Sequence, residues 1–205
     1  MRFILSLTTI PSKMDHVHRT LQTLLEQQTE VPFQIVLQVP LKYSFRFDHA
    51  VIDEHRLETL QQQFPSLKIH RVERDEGPGT KLLGLLSMPR SWENDDYIVL
   101  VHGDLLYKSC LLQRFQTFIL QHPETQAASF YTFLSYLSFP VGQGADGFMI
   151  RYDALKGFLA YFERIKDQEG VLYHDDMYIS YYLYRQGIPI HRLSADGLIY
   201  TTHEN

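Results

Sequence analysis

Four places in the 205-residue sequence carry residue types and spacings suited to chemistry. His102-Gly103-Asp104 follows an unbroken apolar run. His174-Asp175-Asp176 heads an amphipathic stretch. Asp75-Glu76-Gly77-Pro78-Gly79-Thr80-Lys81 joins turn residues to a hydroxyl and a cation. His203 lies close to the C-terminus. Hard divalent cations take carboxylate oxygens, and Mn²⁺ also accepts imidazole. Asp104 and His203 are therefore candidate ligands of one Mn²⁺ or Mg²⁺ ion, provided the fold returns the C-terminus to the sheet edge. Backbone freedom, Thr80 and Lys81 at a helix start can receive a phosphate, although the Gly-x-x-x-x-Gly-Lys-Ser/Thr spacing of a P-loop is missing. Acids at a helix start, such as Asp175 and Asp176, answer the helix dipole whether or not they do chemistry. The glycines of residues 142–147 read as a flexible connection. Cys110 sits between apolar residues, as a buried structural thiol would. There is no Gly-x-Ser-x-Gly elbow, paired-cysteine zinc signature or His-Glu-x-x-His.

The elements that must position these groups follow from periodicity. Residues 97–101 are apolar throughout and rich in Val and Ile, the pattern of a strand buried on both faces. Residues 3–7 form a first strand. Ser12 with Asp15 three residues on reads as a helix N-cap, and Val17, Leu21, Leu24 and Leu25 mark the buried face that follows. Residues 33–39 are a strand closed by Pro40, so the first forty residues form a β-α-β unit, which usually builds a parallel sheet with a right-handed crossover. Helix 54–64, with Leu57 and Leu60 inward, and strand 67–72 come next. Leu111, Leu112, Phe115, Phe118 and Ile119 predict a helix over 107–121. Residues 127–137 read as a strand running into a loop. Leu155, Phe158, Leu159 and Phe162 mark another helix, and a last helix runs from Asp175 to the stop at Gly187-Ile188-Pro189. Residues 188–193 and 198–202 are short strands. This alternation predicts one α/β domain, a central and mostly parallel sheet flanked by helices. Ligands gather at the carboxyl ends of such strands, where His102-Gly103-Asp104 falls.

Composition narrows the function classes. The chain is 44% hydrophobic and 21% charged, as ordinary globular proteins are. Its net charge of −5 and the lack of any Lys/Arg block argue against nucleic acid as a partner. The single cysteine excludes an internal disulfide and suits a reducing, cytoplasmic setting. Residues 1–7 are too short and too soon interrupted for a signal peptide. No apolar run approaches the roughly 20 residues of a transmembrane helix, which leaves only peripheral membrane association open.

Taken in order, several motifs resemble a small glycosyltransferase of the GT-A fold, of the family-2-like kind. They are Thr8-Thr9-Ile10-Pro11-Ser12-Lys13, the loop from Asp75 to Lys81, Asp96-Tyr97 through His102-Gly103-Asp104, Gly144-Ala145-Asp146-Gly147-Phe148, His174-Asp175-Asp176, and His203. The resemblance spans nearly the whole chain, and its specificity lies in the order of short motifs. It implies a Rossmann-like single domain with a nucleotide-binding half (1–104) and an acceptor-binding half (105–205). The donor would be a nucleotide sugar, with UDP expected, and the acceptor a glycan or another hydroxyl compound. Asp104 would be the last acid of an Asp-x-Asp triplet, binding Mn²⁺ or Mg²⁺ between the donor's phosphates, with His203 completing the metal shell. Asp176, and next to it Asp175, would supply the catalytic base of an inverting enzyme, ionised with help from the helix N-terminus. Thr8, Thr9, Lys13, Asp75, Gly77 and Lys81 would line the nucleotide, and Gly144, Asp146 and Gly147 would form the acceptor-side turn. His102, followed by Gly103, stands where the first acid of the triplet is expected. Its ring can hydrogen-bond a ribose hydroxyl, and it removes one negative charge beside the diphosphate.

Two other readings remain. A nucleotide-sugar-binding protein without turnover would share the site. A sugar-phosphate nucleotidyltransferase would carry a Gly-rich, Arg- and Lys-bearing loop after the first strand, where this chain has Thr8-Thr9-Ile10-Pro11-Ser12-Lys13.

Overall fold

A computed structural model describes residues 1–89 and 92–194. The described residues form a seven-stranded sheet and a separate two-stranded hairpin. Strand β1 (Phe3–Thr8) lies between β2 (Phe33–Pro40) and β4 (Tyr97–Leu100), parallel to both, so Leu5 pairs with Ile35 on one side and Val99 on the other. β3 (Lys68–Val72) continues the parallel half outward from β2. Beyond β4 the direction reverses. β8 (Phe148–Arg151) runs antiparallel to β4 and to β5 (Ala127–Ser129), and β9 (Ile190–Arg192) closes the edge parallel to β5. The mostly parallel sheet expected from the β-α-β start is present.

The strands' apolar residues point alternately to two cores, as a period of two requires. Phe3, Leu5, Leu7, Val99 and Met149 face α1 (Met14–Leu25), α2 (Glu54–Gln63) and α4 (Leu111–Gln121). Ile4, Val36, Ile98, Leu100, Phe148 and Ile150 face α3 (Thr80–Ser87), α5 (Phe158–Ile165) and α6 (Asp175–Arg185). Covered on both faces, β1 and β4 are held rigidly, and their carboxyl ends make a firm base for a site. No helix among the described residues is long and apolar enough to cross a membrane.

Several local expectations are corrected. Ser12 does not cap α1. Residues Pro11–Lys13 form a 3₁₀ turn, Lys13 takes the cap position without a side-chain bond, and exposed Asp15 pairs with Arg56 instead. α4 begins at Leu111, not 107, because Leu105 and Tyr107 are buried as part of the preceding loop. Cys110 is consequently a partly exposed cap residue. Gly157, with φ +86°, resets the chain before α5. Leu155 therefore packs from a 3₁₀ turn, and Leu159 is exposed. The stretch 127–137 is not one strand. It breaks at Phe130 into β5 and the hairpin strand β6 (Thr132–Leu134), which pairs with β7 (Pro140–Gly142). The expected strand 198–202 lies outside the described residues.

Candidate functional site

The carboxyl ends of β1 and β4 bring Thr8 and Thr9 beside His102, Gly103 and Asp104. A Cβ on Gly103 would fall 2.6 Å from the Thr8 carbonyl oxygen, so only glycine lets the two strand exits run this close. The Thr8 hydroxyl donates to the Gln38 carbonyl at 2.8 Å and thereby serves the sheet. The Thr9 hydroxyl oxygen is buried with no hydrogen-bond partner among the described residues. Its backbone carbonyl accepts from the Tyr43 hydroxyl at 2.8 Å.

Over these strand ends opens a cleft of about 300 Å³. Its wall contains Thr8, Thr9 and Lys13 from the β1–α1 junction, and Asp75, Gly77 and Lys81 from the loop before α3. His102, Gly103 and Asp104 complete the set. Three distant stretches singled out in the sequence are thus neighbours.

A further part of the lining was not expected. It consists of Tyr43, Phe45, Arg46 and Phe47 from the loop after β2, together with Tyr173 from the turn before α6. The Arg46 guanidinium lies 4.2 Å from the centroid of the Tyr173 ring, and Phe45 meets the same ring edge-on at 4.5 Å. Asp75 builds this wall. One of its carboxylate oxygens accepts from the Phe45 N–H at 2.9 Å and the other from the Gly77 N–H at 3.0 Å. Gly77, with φ +58°, would place a Cβ 2.5 Å from the Leu172 carbonyl, so its lack of a side chain lets the turn carrying Tyr173 pack against it. The polar and aromatic loop 41–48 was visible in the sequence. Nothing there linked it to Tyr173, 125 or more residues away.

Lys81 corrects a further expectation. It is not a free cation awaiting phosphate: it is 1% exposed, ion-paired with buried Asp175, and donates to the Pro78 carbonyl at 3.2 Å. Asp176 is left with one backbone partner, the Gly144 N–H at 3.0 Å. Burial, and next the neighbouring Asp175, push the Asp176 carboxyl up to about 6, against the pull of Lys81 and the Gly144 N–H. Desolvation therefore outweighs the helix N-terminus that was expected to favour the ionised form. Asp176 does not line the cleft. It is joined to it through Lys81, whose Cε and the Asp176 carboxylate both crowd the Cβ position of Gly144, at 3.3 and 3.2 Å. Asp146, raised by burial, and Gly147, which packs by Leu111 and Phe115, also lie outside the cleft wall.

His102 is neutral at pH 7. Burial, and next Lys81, lower its pKa to about 4, against Asp175 and Asp104. Its backbone N–H donates to the Tyr107 hydroxyl at 2.8 Å, which in turn donates to the Ala145 carbonyl at 3.0 Å. Tyr107, absent from the sequence-based set, thus ties the end of β4 to the turn holding Asp176. Asp104 is partly exposed in the cleft and accepts no hydrogen bond from a described residue. Among the described residues no group of three or more His, Cys, Asp or Glu converges on one point. His203, its expected partner, lies outside them.

No protein-family model and no curated protein matches the chain. Solved structures do. S. aureus TarS 1-349 superposes with TM-score 0.64 at 18% identity, over 98% of this chain and 60% of that one. It has also been solved with UDP and with UDP-GlcNAc. The mannosyltransferase PcManGT from Pyrobaculum calidifontis, in complex with GDP-Man and Mn²⁺, gives 0.63 at 13% identity, over 94% of this chain and 55% of that one. A 4-diphosphocytidyl-2C-methyl-D-erythritol synthase gives 0.54 at 12% identity, over all of this chain and 94% of that one. The chain thus spans less than two thirds of the first two, and at these identities the likeness concerns the fold. In strand order, two-sided packing and superposition, the described residues have the GT-A, Rossmann-like fold of nucleotide-sugar glycosyltransferases.

Proposed function

We propose that this chain transfers a sugar from a nucleoside-diphosphate donor, a UDP-sugar first among them, to a hydroxyl acceptor, with inversion at the anomeric carbon. The observation that carries this reading is the linkage of the strand-end cleft, with the available carboxylate of Asp104 inside it, through Lys81 to the acid pair at the head of α6. The donors bound by TarS and PcManGT support the substrate class.

In this reading residues 1–104, joined by Tyr173 from the other half of the chain, hold the donor. Lys13 and the exposed Arg46 offer charge to the diphosphate, the Thr9 hydroxyl offers an unused hydrogen bond, and the rings of Phe45 and Tyr173 offer an apolar wall to the base. Neutral His102 offers its ring to a ribose hydroxyl. Mn²⁺ and Mg²⁺ accept sites of one or two carboxylates completed by substrate phosphates, so Asp104, with the neutral imidazole of His102 beside it and His203 as a proposed further ligand, fits such an ion. When bound, the ion supplies Lewis-acid stabilisation of the departing diphosphate.

Residues 105–205 hold the acceptor, with Gly144, Asp146 and Gly147 shaping the turn over the base. Asp176 takes the proton of the acceptor hydroxyl as its oxygen bonds to the anomeric carbon and the bond to the diphosphate breaks. A carboxyl with a pKa near 6 is ionised at pH 7, yet a better proton acceptor than an ordinary aspartate, and general-base catalysis is typically worth about 10²–10⁴-fold.

A nucleotidyltransferase reading has one observation in its favour, the near-complete coverage of the diphosphocytidyl synthase. The β1–α1 junction speaks against it, because Thr8-Thr9-Ile10-Pro11-Ser12-Lys13 replaces a Gly-rich basic loop. Incubation with a panel of nucleotide sugars tests the proposal. Wild type is expected to release the nucleoside diphosphate, and Asp176→Asn to bind the donor without releasing it. Binding without release by wild type would make this a binding protein. Pyrophosphate release from CTP or UTP with a sugar phosphate would make it a nucleotidyltransferase.

A further inference from the structure

The β6–β7 hairpin carries an apolar surface that the site does not use. Leu134 is 72% exposed, Tyr136 87% and Leu137 56%. This display is built into the fold. The Ser135 hydroxyl accepts from the Phe139 N–H at 3.2 Å, the Ser135 N–H donates to the Phe139 carbonyl at 3.0 Å, and Ser138 closes the turn at φ +61°. Phe139, in contrast, is buried and packs on Tyr181 and Tyr184 of α6 with ring centroids 5.3 and 5.5 Å away. Further along, the Gly142 N–H donates to the Ser180 hydroxyl at 3.0 Å, and the Gly144 N–H to Asp176. Asp176, Ser180 and Tyr184 recur every four residues, one face of α6. The hairpin is therefore rooted on the same helix face that carries Asp176.

Charge singles out the same region. The protein has a net charge of −5, yet residues 127–142 contain no charged side chain. Residues 177–194 contain no acid and two arginines, Arg185 and Arg192, both exposed. β7 packs against both α6 and β9, so these two stretches are neighbours. An uncharged projecting turn of Leu and Tyr, rooted beside a stretch that carries two exposed arginines and, from 177 to 194, no carboxylate, is complementary to an anionic bilayer. Leucines enter the acyl boundary, tyrosines sit at headgroup level, and each basic residue near such a surface adds electrostatic attraction. A hairpin with three-residue strands is small beside the roughly 800 Å² per partner of a stable protein interface.

We propose that the β6–β7 hairpin, with Arg185 and Arg192, docks this protein peripherally on an anionic lipid bilayer. The docking stands independently of any transfer reaction. Its bearing on the acceptor rests on the function proposed above: a hydroxyl acceptor carrying a lipid tail would be presented at the bilayer, next to the helix face bearing Asp176.

Flotation of the full chain with equimolar phosphatidylcholine–phosphatidylglycerol vesicles, and with phosphatidylcholine vesicles alone, tests this. Wild type is expected to float with the anionic vesicles. The exposed triple variant Leu134→Ser/Tyr136→Ser/Leu137→Ser, with a thermal midpoint and UDP affinity like wild type, is expected to lose about tenfold or more of that binding. Arg185→Gln/Arg192→Gln, a second variant away from the turn, is expected to lose the preference for anionic over neutral vesicles. Absence of wild-type flotation would overturn the proposal, as would undiminished flotation of the triple variant. A wild-type dimer seen by light scattering, lost in the triple variant and unaccompanied by flotation, would assign the surface to a second copy of the chain instead. UDP binding is read separately, so failure of the donor reading would leave the flotation result intact.

Discussion

Lys81, Asp175 and Asp176 set two carboxylates against one cation in a largely buried place. Asp175 takes the lysine, and Asp176 is left to desolvation. Removing the lysine leaves a buried, uncompensated charge, so Lys81→Met is expected to cost about 3–5 kcal/mol in urea unfolding. Adding Asp175→Asn should restore much of it, since the residual charge then disappears. Asp176 and His102 give opposite pH signatures. The folded Asp176 pKa of about 6 lies above its ordinary 3.8, so the folded state binds more protons, and stability from this group falls as pH rises between those values. The folded His102 pKa of about 4 lies below its ordinary 6.5, so the unfolded state binds more protons, and stability from this group rises with pH across that window. In wild type the two slopes oppose each other. Asp176→Asn, whose amide oxygen can still accept from the Gly144 N–H, should therefore become more stable from pH 4 to 6.5, and His102→Asn less stable from pH 4 to 6, each on the order of 1 kcal/mol or more. Thermal midpoints measured across pH check both signs. The acids and the histidine were legible from residue type and position. The burial that reverses the expected behaviour of Asp176 was not, because it depends on residues 144–146 folding over α6.

At the scale of elements, the buried strands were the clearest features. Residues 97–101 have no polar alternative, and the observed β4 differs by a single residue. Helix starts were less clear, because buried side chains decided them as much as caps did. Tyr107 fits a helical pattern but leaves α4 to join His102 to Ala145. The wall of Phe45, Arg46 and Tyr173 joins two loops with no periodicity to announce them. Asp75, expected to line the nucleotide, lies in the cleft wall, and both its oxygens also hold loop backbone there. Gly103 is the position where two elements meet most closely. Gly103→Ala must separate the exits of β1 and β4, at a cost of about 1–3 kcal/mol, and should lower UDP affinity as Thr9 and Asp104 move apart. Urea unfolding and calorimetry on the same variant check the two effects together.

For the whole molecule, the first β-α-β unit already implied a parallel sheet. The reversal at β8 was not implied, since chain order does not say which edge a later strand joins. That reversal shapes the site: β8 beside β4 brings residues 142–147 across the sheet to α6 and Lys81. The motifs at the strand ends were legible in the sequence, while the placement of residues 142–147 against α6 and Lys81 emerges only from tertiary packing. In the proposed function the end of β4 is the pivot between donor and acceptor. Isothermal titration calorimetry with UDP, with and without Mn²⁺, on wild type and Asp104→Ala tests this arrangement most directly. Wild type is expected to bind UDP more tightly when Mn²⁺ is present, and Asp104→Ala to bind UDP equally with and without it. An Asp104→Ala protein that keeps the Mn²⁺-dependent tightening, or a wild type that binds UDP in neither condition, would contradict the account.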